Sequence, residues 1–340
     1  MSAFDGSGVP GAMGRVSFEG IFDESDDHES PLVYRIRRTD KAGFMSTMGT
    51  VLTQLAVAKW LGAQPVVDLT EGSAYQEREA INGTRNVWEY YFLPVSPVRL
   101  DDLGSPEYRV VNSETHHPIL KVEGAEKWLG KLWKQFVTFN SETNDYLENR
   151  LESLALGPNV VAVHARSGDM KTFPGHPLPP TIEQLVAGAR SMLDTANFDS
   201  VFLAAQDEKD VRVMKKEFGG RLKVSPSFVF STRSDKLGTP FSGVTSDKMV
   251  SYAEAIRPLH FYELGREVLH DALALSRCGS LVSGESNVAK WARIVRGTEF
   301  DAAVNISNGW NSHNKFVSAV LFQVRAVAPT FLGGFRRGFQ

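Results

Sequence analysis

Three short apolar runs in the C-terminal half of the chain each end on polar residues, and each is followed by a segment with helical periodicity. The runs are NVVAVHAR at 159–166, SVFLAAQD at 200–207 and SLVSGES at 280–286. Strands that alternate with helices predict a parallel sheet covered by helices on both faces, because parallel neighbours need a crossover connection. This alternation excludes most other fold classes for this half.

The N-terminal half shows the same alternation of predicted strands and helices over a shorter stretch. LVYRI at 32–36 predicts a strand, FMSTMGTVLTQLAVAKW at 44–60 a helix ending near Gly62, and QPVVDL at 64–69 a second strand. The turn formers at 156–159 interrupt the pattern between the halves. We therefore predict an α/β protein with two doubly wound, Rossmann-like domains at 20–156 and 157–330. A polar connection at 228–249 is interpreted as a mobile flap.

The amino-acid composition limits the classes of ligand and partner that the protein can bind. The chain has 340 residues and a net charge of −3, so it lacks the cationic surplus that binds nucleic acid without sequence preference. One cysteine excludes an intrachain disulfide and a zinc site built on several thiolates. The sequence shows neither a signal peptide nor an apolar run of about 18 residues, so we expect a cytoplasmic protein without a transmembrane segment.

The polar strand exits are candidates for a binding site, because ligands of open parallel sheets lie at the carboxyl ends of the strands. His164 and Arg166 are two residues apart and should point to one face. An arginine at this edge suits bidentate contact with phosphate, although it could also pin a turn through Asp169. Asp207 follows the next strand.

Three further sets of residues are weaker candidates for the binding site. Ser286 and Asn287 could only cap the following helix, yet a capped N-terminus facing a crevice is also an anion site. Asp271 falls within a helix, where a solvated aspartate is the common case. Gly43 and Phe44 could form a phosphate-approaching turn, but they lack a nucleotide-binding glycine fingerprint.

Five segments in order carry a resemblance to a known family: GFMSTMGTVLTQLAVAKWLGAQPVVDL, NVWEYYFLPVSP, HARSGD, VFLAAQDEKDVRVMKKEFGGRLKV and REVLHDALALSRCGSLVSGESNVAKWA. Over residues 30–295 they resemble the GT-B glycosyltransferases of the fucosyltransferase superfamily, which includes α-1,6-fucosyltransferases, nodulation fucosyltransferases and protein O-fucosyltransferases. The resemblance implies two domains that face an interdomain cleft, with the acceptor side in the first and the nucleotide sugar in the second.

The resemblance also implies an activity and its residues. It implies inverting, metal-independent transfer of a sugar, fucose from GDP-fucose, to a hydroxyl of a glycan or glycoconjugate, with no cofactor besides the donor. Arg166 would contact the diphosphate, His164 and Asp271 would hold the guanine nucleotide, and Ser286 would bind phosphate. We assign Arg166 and Asp169 as catalytic. The remaining residues predicted to bind the GDP-sugar are Asp207, Asn287, Gly43 and Phe44.

Three departures from the family pattern leave alternatives open. Ser167 stands where α-1,6 enzymes have a second arginine, Gln206 replaces the first acid of an Asp-Asp pair, and Pro174 stands near the position of a suggested base. A transferase that uses another nucleotide sugar and a non-catalytic nucleotide-sugar or glycan-binding protein are the competing hypotheses.

Overall fold

The computed structural model describes residues 30–113, 125–166, 168–195, 197–227 and 257–336. Within them the chain divides into two compact units. The first unit runs to Asp145 and also includes residues 257–265, whereas the second unit contains the rest. The interpretation of 228–249 as a flap concerns residues outside the described ranges.

The first unit holds a three-stranded parallel sheet in the order β2-β1-β3. The helix between β1 and β2 is apolar on all sides and almost completely buried, so it lies inside the unit and not on its surface. The elements are β1 (Leu32–Arg37), α1 (Phe44–Trp60), β2 (Gln64–Asp68), β3 (Arg109–Asn112), α2 (Ala125–Phe136) and the start of α3 (Ser141–Ser153).

An aromatic cluster fills the first unit, and part of it comes from residues far along the chain. The rings of Tyr91 and Tyr262 stack with centroids 5.5 Å apart, and the Tyr91 hydroxyl donates to the Tyr262 carbonyl at 3.1 Å. The Tyr262 N–H donates to the Glu77 carboxylate at 2.9 Å, and its hydroxyl bonds Glu142 at 2.9 Å. Residues 257–265 are therefore part of this unit's core.

The second unit is built on a five-stranded parallel sheet in the order β6-β5-β4-β7-β8. Every residue of the central strand β4 is buried, which explains its uninterrupted apolar run, because helices cover both faces of a parallel sheet. The elements are the end of α3, β4 (Val160–Ala165), α4 (Ile182–Thr195), β5 (Ser200–Ala205), α5 (Glu208–Phe218), β6 (Leu222–Val224), α6 (His260–Arg277), β7 (Ser280–Gly284), α7 (Asn287–Arg296), β8 (Ala302–Ile306) and α8 (Lys315–Val327). The first residues of α6, up to Gly265, belong to the first unit.

The strand order of the second sheet reverses between β4 and β7. From β4 the chain proceeds outward through β5 to β6, and it then returns to the other side of β4 through α6. Such a reversal separates the loops that follow the two central strands and opens a crevice between them. At the opposite ends of β4 and β7 the two chains pack closely, because a Cβ on Gly279 would lie 1.8 Å from the Pro158 carbonyl oxygen.

The predicted fold class is confirmed, since both units are parallel α/β structures. The border between the units falls at Asp145, inside α3, and 257–265 return to the first unit. The ranges 20–156 and 157–330, and the roles given to them, stay predictions. Among the described residues, no helix combines the length and the apolar character needed to cross a bilayer.

Candidate functional site at the β4–β7 crevice

His164 and Ser286 meet at the point where the strand order reverses. His164 is the fifth residue of β4, and Ser286 follows β7 as the N-cap of α7. The Ser286 Oγ lies 3.0 Å from the His164 Nδ1 and accepts a hydrogen bond from the Ala289 N–H at 3.1 Å. The Ser286 hydroxyl can donate to the imidazole or accept from it, because one lone pair remains after the bond from the helix.

The imidazole of His164 is neutral at physiological pH. Burial and, to a smaller extent, the charge of Arg166 lower the pKa of His164 to about 4, and Asp271 opposes both effects. In a neutral imidazole one ring nitrogen carries the proton and the other accepts a hydrogen bond. His164 is therefore an uncharged hydrogen-bonding partner of Ser286.

Arg166 directly follows β4 and is partly buried. Its guanidinium lies close enough to His164 to lower the pKa of that imidazole. The crevice therefore receives its positive charge from Arg166 and not from the histidine.

The start of α7 adds a second favourable environment for an anion. The first backbone N–H groups of a helix have no partner within it and carry the positive end of the helix dipole. Ser286 takes the Ala289 N–H, and the first turn of α7 contains no acidic residue. Asn287, the first residue of the helix, is exposed. This geometry confirms the interpretation of Ser286 as a cap. Phosphate binding by Ser286 and Asn287 stays a prediction.

Asp271 on α6 is buried and not solvated. Its Oδ1 accepts from the Ser225 hydroxyl at 2.5 Å and from the Ser227 hydroxyl at 3.0 Å. The His270 Nδ1 lies 3.5 Å from the same oxygen. Since Ser225 directly follows β6, this cluster also belongs to the carboxyl edge of the sheet.

The two serines that hold Asp271 were not predicted. They lie in KVSPS, directly after the strand-forming LKV of β6, and they follow the same pattern as the other polar strand exits. Applying the strand-exit rule to this fourth strand would have found Ser225 and Ser227.

Asp207 marks the carboxyl end of β5 and caps α5. Its Oδ1 accepts from the Lys209 N–H at 2.8 Å. Asp169 belongs to a 3-10 helix, Gly168–Lys171, and its side chain lies outside the described part of the structure. The site roles of both residues stay predictions.

Gly43 and Phe44 lie at the start of α1 in the first unit. The Phe44 ring is buried against Tyr75 and Tyr91, with centroid distances of 5.1 and 5.0 Å. Its N–H donates to the Tyr75 hydroxyl at 3.1 Å. The structure thus shows a packing role for Phe44, and donor binding by this pair stays a prediction.

Among the residues that the structure describes, no three His, Cys, Asp or Glu side chains gather closely enough to hold a metal ion. The carboxyl edge of the second sheet carries Arg166, the neutral His164, the Ser286-capped start of α7, and the hydrogen-bonded Asp207 and Asp271.

Comparison with known proteins shows the fold. No family model matches the chain, and no curated protein matches it by sequence. The structure of NodZ alpha-1,6-fucosyltransferase soaked with GDP-fucose matches with a TM-score of 0.50 and 14% identity, over 78% of this chain and 93% of that one. Fucosyltransferase NodZ from Bradyrhizobium matches with a TM-score of 0.49 and 14% identity, over 78% of this chain and 92% of that one. POFUT1 in its apo-form matches with a TM-score of 0.43 and 12% identity, over 82% of this chain and 99% of that one. The predicted likeness to GT-B fucosyltransferases is confirmed for the fold.

Proposed function

We propose that the protein is a glycosyltransferase that transfers fucose from GDP-fucose to a hydroxyl of a glycan or glycoconjugate. One observation carries this proposal: His164, Arg166 and the Ser286-capped start of α7 lie at the switch point of a sheet. Anionic nucleotides bind at such switch points. NodZ, whose structure was obtained with GDP-fucose, has a similar fold.

The reaction develops negative charge where this site offers positive charge. The acceptor oxygen bonds to the anomeric carbon while the bond from that carbon to the β-phosphate oxygen breaks, and its electron pair leaves with GDP. Attack from the opposite face inverts the configuration. Arg166 and the N-terminus of α7 stabilise the departing diphosphate, so the scheme requires no divalent ion.

The neutral state of His164 determines its part in the scheme. With its proton on Nε2, a neutral His164 would donate one hydrogen bond to the nucleotide without adding a second cation beside Arg166. Asp271 lies on α6 at the same carboxyl edge of the sheet, where Ser225 and Ser227 hold its carboxylate. Asp169, three residues beyond Arg166, is the proposed base that takes the proton of the acceptor hydroxyl.

Nucleotide binding provides the first test. A ligand that binds only the folded state raises the melting temperature, so GDP should raise it more than UDP or ADP do. Incubation with GDP-fucose should then release GDP, slowly to water and faster with a suitable glycan. Preferential stabilisation by UDP or ADP would favour another donor, and GDP binding without transfer or hydrolysis would favour a non-catalytic binding protein.

Replacing Arg166 tests the proposed catalytic charge. We expect Arg166→Ala to lower kcat for GDP release by about 10²–10³, the loss typical of one electrostatic donor. Arg190→Ala is the matched control, because Arg190 is exposed on α4 and pairs with Glu217. A folded Arg166→Ala protein with the wild-type rate would contradict the mechanism.

A further inference from the structure

The loop that follows β8 exposes a tryptophan near the carboxyl edge of the second sheet. Trp310 lies four residues beyond Ile306, the end of β8, and 64% of its surface is exposed. The chain has six tryptophans, and this one is the most exposed of them. A single exposed aromatic residue is common in proteins and needs no function to explain it. What the ring does therefore depends on how its surroundings hold it.

Two buried asparagines fix the loop on either side of the tryptophan. The Asn308 amide nitrogen donates to the Pro179 carbonyl at 2.9 Å. The Asn311 amide nitrogen donates to the carbonyls of Phe173 and Ser318 at 3.2 and 3.3 Å. Because these bonds fix the loop in advance, a ligand that packs on the ring does not have to order it, and its binding is favoured.

The loop after β4 pairs with this loop along the backbone. The Leu178 N–H donates to the Gly309 carbonyl, and the Asn311 N–H donates to the His176 carbonyl, both at 2.8 Å. The two bonds flank an antiparallel bridge that sets the tryptophan opposite Pro177. One loop continues from β4 and the other from β8, so both begin at the edge of the sheet where ligands of parallel sheets bind.

The paired loops carry further exposed rings. Phe173 is 46% exposed, and its ring meets that of the exposed His176 edge to face, with centroids 4.4 Å apart. The exposed His313 packs on Gly175, because a Cβ on this glycine would lie 2.6 Å from the imidazole. Three aromatic side chains therefore accompany the tryptophan on one rigid surface.

Groups that bind hydroxyls lie at the same edge of the sheet. Glu285 directly follows β7 and is exposed, and the hydroxyl of Ser307, the first residue after β8, donates to its carboxylate at 3.5 Å. A carboxylate accepts hydrogen bonds from hydroxyl groups, and a serine hydroxyl both donates and accepts. We call Glu285 together with residues 172–178 and 307–313 the aromatic ledge.

These groups suit an uncharged ligand that has both hydroxyl groups and apolar faces. A sugar ring in a β-linked oligosaccharide has this chemistry, because its C–H groups point to both faces and its hydroxyl groups lie around the rim. Ligand sites combine aromatic side chains with a few polar groups that fix the orientation. The negative charge of Glu285 disfavours an anionic lipid or a nucleotide as the occupant.

We propose that the aromatic ledge is a glycan-binding site in which Trp310 stacks on a sugar ring, and that it holds the acceptor of the transfer. The role as acceptor site rests on the proposed function, whereas glycan binding itself does not. The ledge begins close to the proposed base: Phe173 follows Asp169 by four residues, so their Cα atoms are at most about 14 Å apart. One oligosaccharide can extend over such a distance.

Calorimetric titration of the full-length protein tests glycan binding. The probes are cellotetraose and chitotetraose, two uncharged β-1,4-linked tetrasaccharides. We expect the wild type to bind at least one of them at millimolar or lower concentration. Absence of binding by both would overturn the proposal.

Variants of the tryptophan locate the site. Trp310→Ala should bind the tetrasaccharide at least about tenfold more weakly, because truncation of a buried aromatic anchor in an interface typically costs this much. Trp310→Phe keeps a ring and should retain most of the affinity. Trp60→Ala, at an exposed tryptophan in the first unit, is the matched control and should bind as the wild type does. Wild-type affinity in a folded Trp310→Ala protein, with the folding checked by melting temperature, would overturn the proposal.

Kinetics separate this proposal from the proposed function. With GDP-fucose as donor, Trp310→Ala should raise the KM for the tetrasaccharide about tenfold and leave the affinity for GDP unchanged. A wild type that binds the tetrasaccharide through Trp310 but releases no GDP would contradict the proposed function and support the glycan site. A wild type that transfers the sugar, with an unchanged KM in Trp310→Ala, would show that the ledge does not hold the acceptor.

Discussion

At the scale of single residues, His164 links stability to pH. It is buried at the end of β4, its Nδ1 lies 3.0 Å from the Ser286 Oγ, and its pKa is lowered to about 4. In the unfolded chain the same imidazole takes up a proton near pH 6.5. Between these values the unfolded state binds more protons than the folded state does.

This difference predicts that the free energy of unfolding falls as the pH falls from about 6.5 to 4. A shift of this size corresponds to about 3 kcal/mol of stability that is present above pH 6.5 and lost by pH 4. Urea unfolding at several pH values would measure it. In His164→Asn this contribution to the slope should vanish, whereas His313→Asn, at an exposed histidine, should keep it. Equal slopes for the wild type and His164→Asn would contradict the assigned neutral state.

At the scale of elements, the N-terminus of α7 combines a cap with the proposed anion site, and substitutions separate the two roles. Ser286→Ala removes the cap and should lower the free energy of unfolding by about 1 kcal/mol. Ser286→Asp restores a good cap but places a negative charge at the crevice, so it should keep stability and weaken GDP binding at least about tenfold.

The matched control for this pair is Asn314→Ala. Asn314 caps α8 by accepting from the N–H groups of Phe316 and Val317 at 2.9 and 3.3 Å. Its loss should lower stability in the same way and leave GDP binding unchanged. If Ser286→Asp bound GDP as the wild type does in titration calorimetry, Ser286 would be a cap only.

Local pattern was sufficient to predict the strands and helices around the crevice. One example is the start of α4, where the sequence places Thr181, a residue type that favours caps, and its Oγ1 accepts from the Gln184 N–H at 3.3 Å. The sequence did not indicate β3, because RVVN is short and its burial depends on pairing with the distant strand β1. It also gave no sign of the exposed face of α8. FVSAVLFQV is apolar on every side, and periodicity alone does not show which side packs.

The same limit applies to the site. His164, Arg166 and Ser286 could be predicted because each lies at or just beyond the carboxyl end of a strand. The bond between His164 and Ser286, and the enclosure of Asp271 by Ser225 and Ser227, depend on strand order, which local pattern does not determine.

At the scale of the whole molecule, the first unit depends on residues that follow most of the second unit in sequence. Tyr262→Ala should lower the free energy of unfolding by about 3–5 kcal/mol, since it removes a fully buried aromatic side chain. Tyr262→Phe keeps the ring and loses the hydrogen bond to Glu142, so it should cost about 1 kcal/mol.

Denaturant titration would measure both effects. Leu93→Ala, at an exposed position of the same unit, should change stability by no more than about 0.5 kcal/mol. A loss for Tyr262→Ala as small as that of Leu93→Ala would show that residues 257–265 are not part of the core.

The return of residues 257–265 to the first unit also affects the order in which the nascent chain folds. When Asp145 leaves the ribosome, the aromatic cluster still lacks Tyr262, which is synthesised more than a hundred residues later, after β4, β5 and β6. Domains that are continuous in sequence can fold during synthesis from the N-terminus onward. Here the first unit cannot complete its core until Tyr262 is synthesised, and its apolar side chains stay exposed until then. A chain that ends between Asp145 and Tyr262 would therefore be retained by chaperones and degraded by proteases.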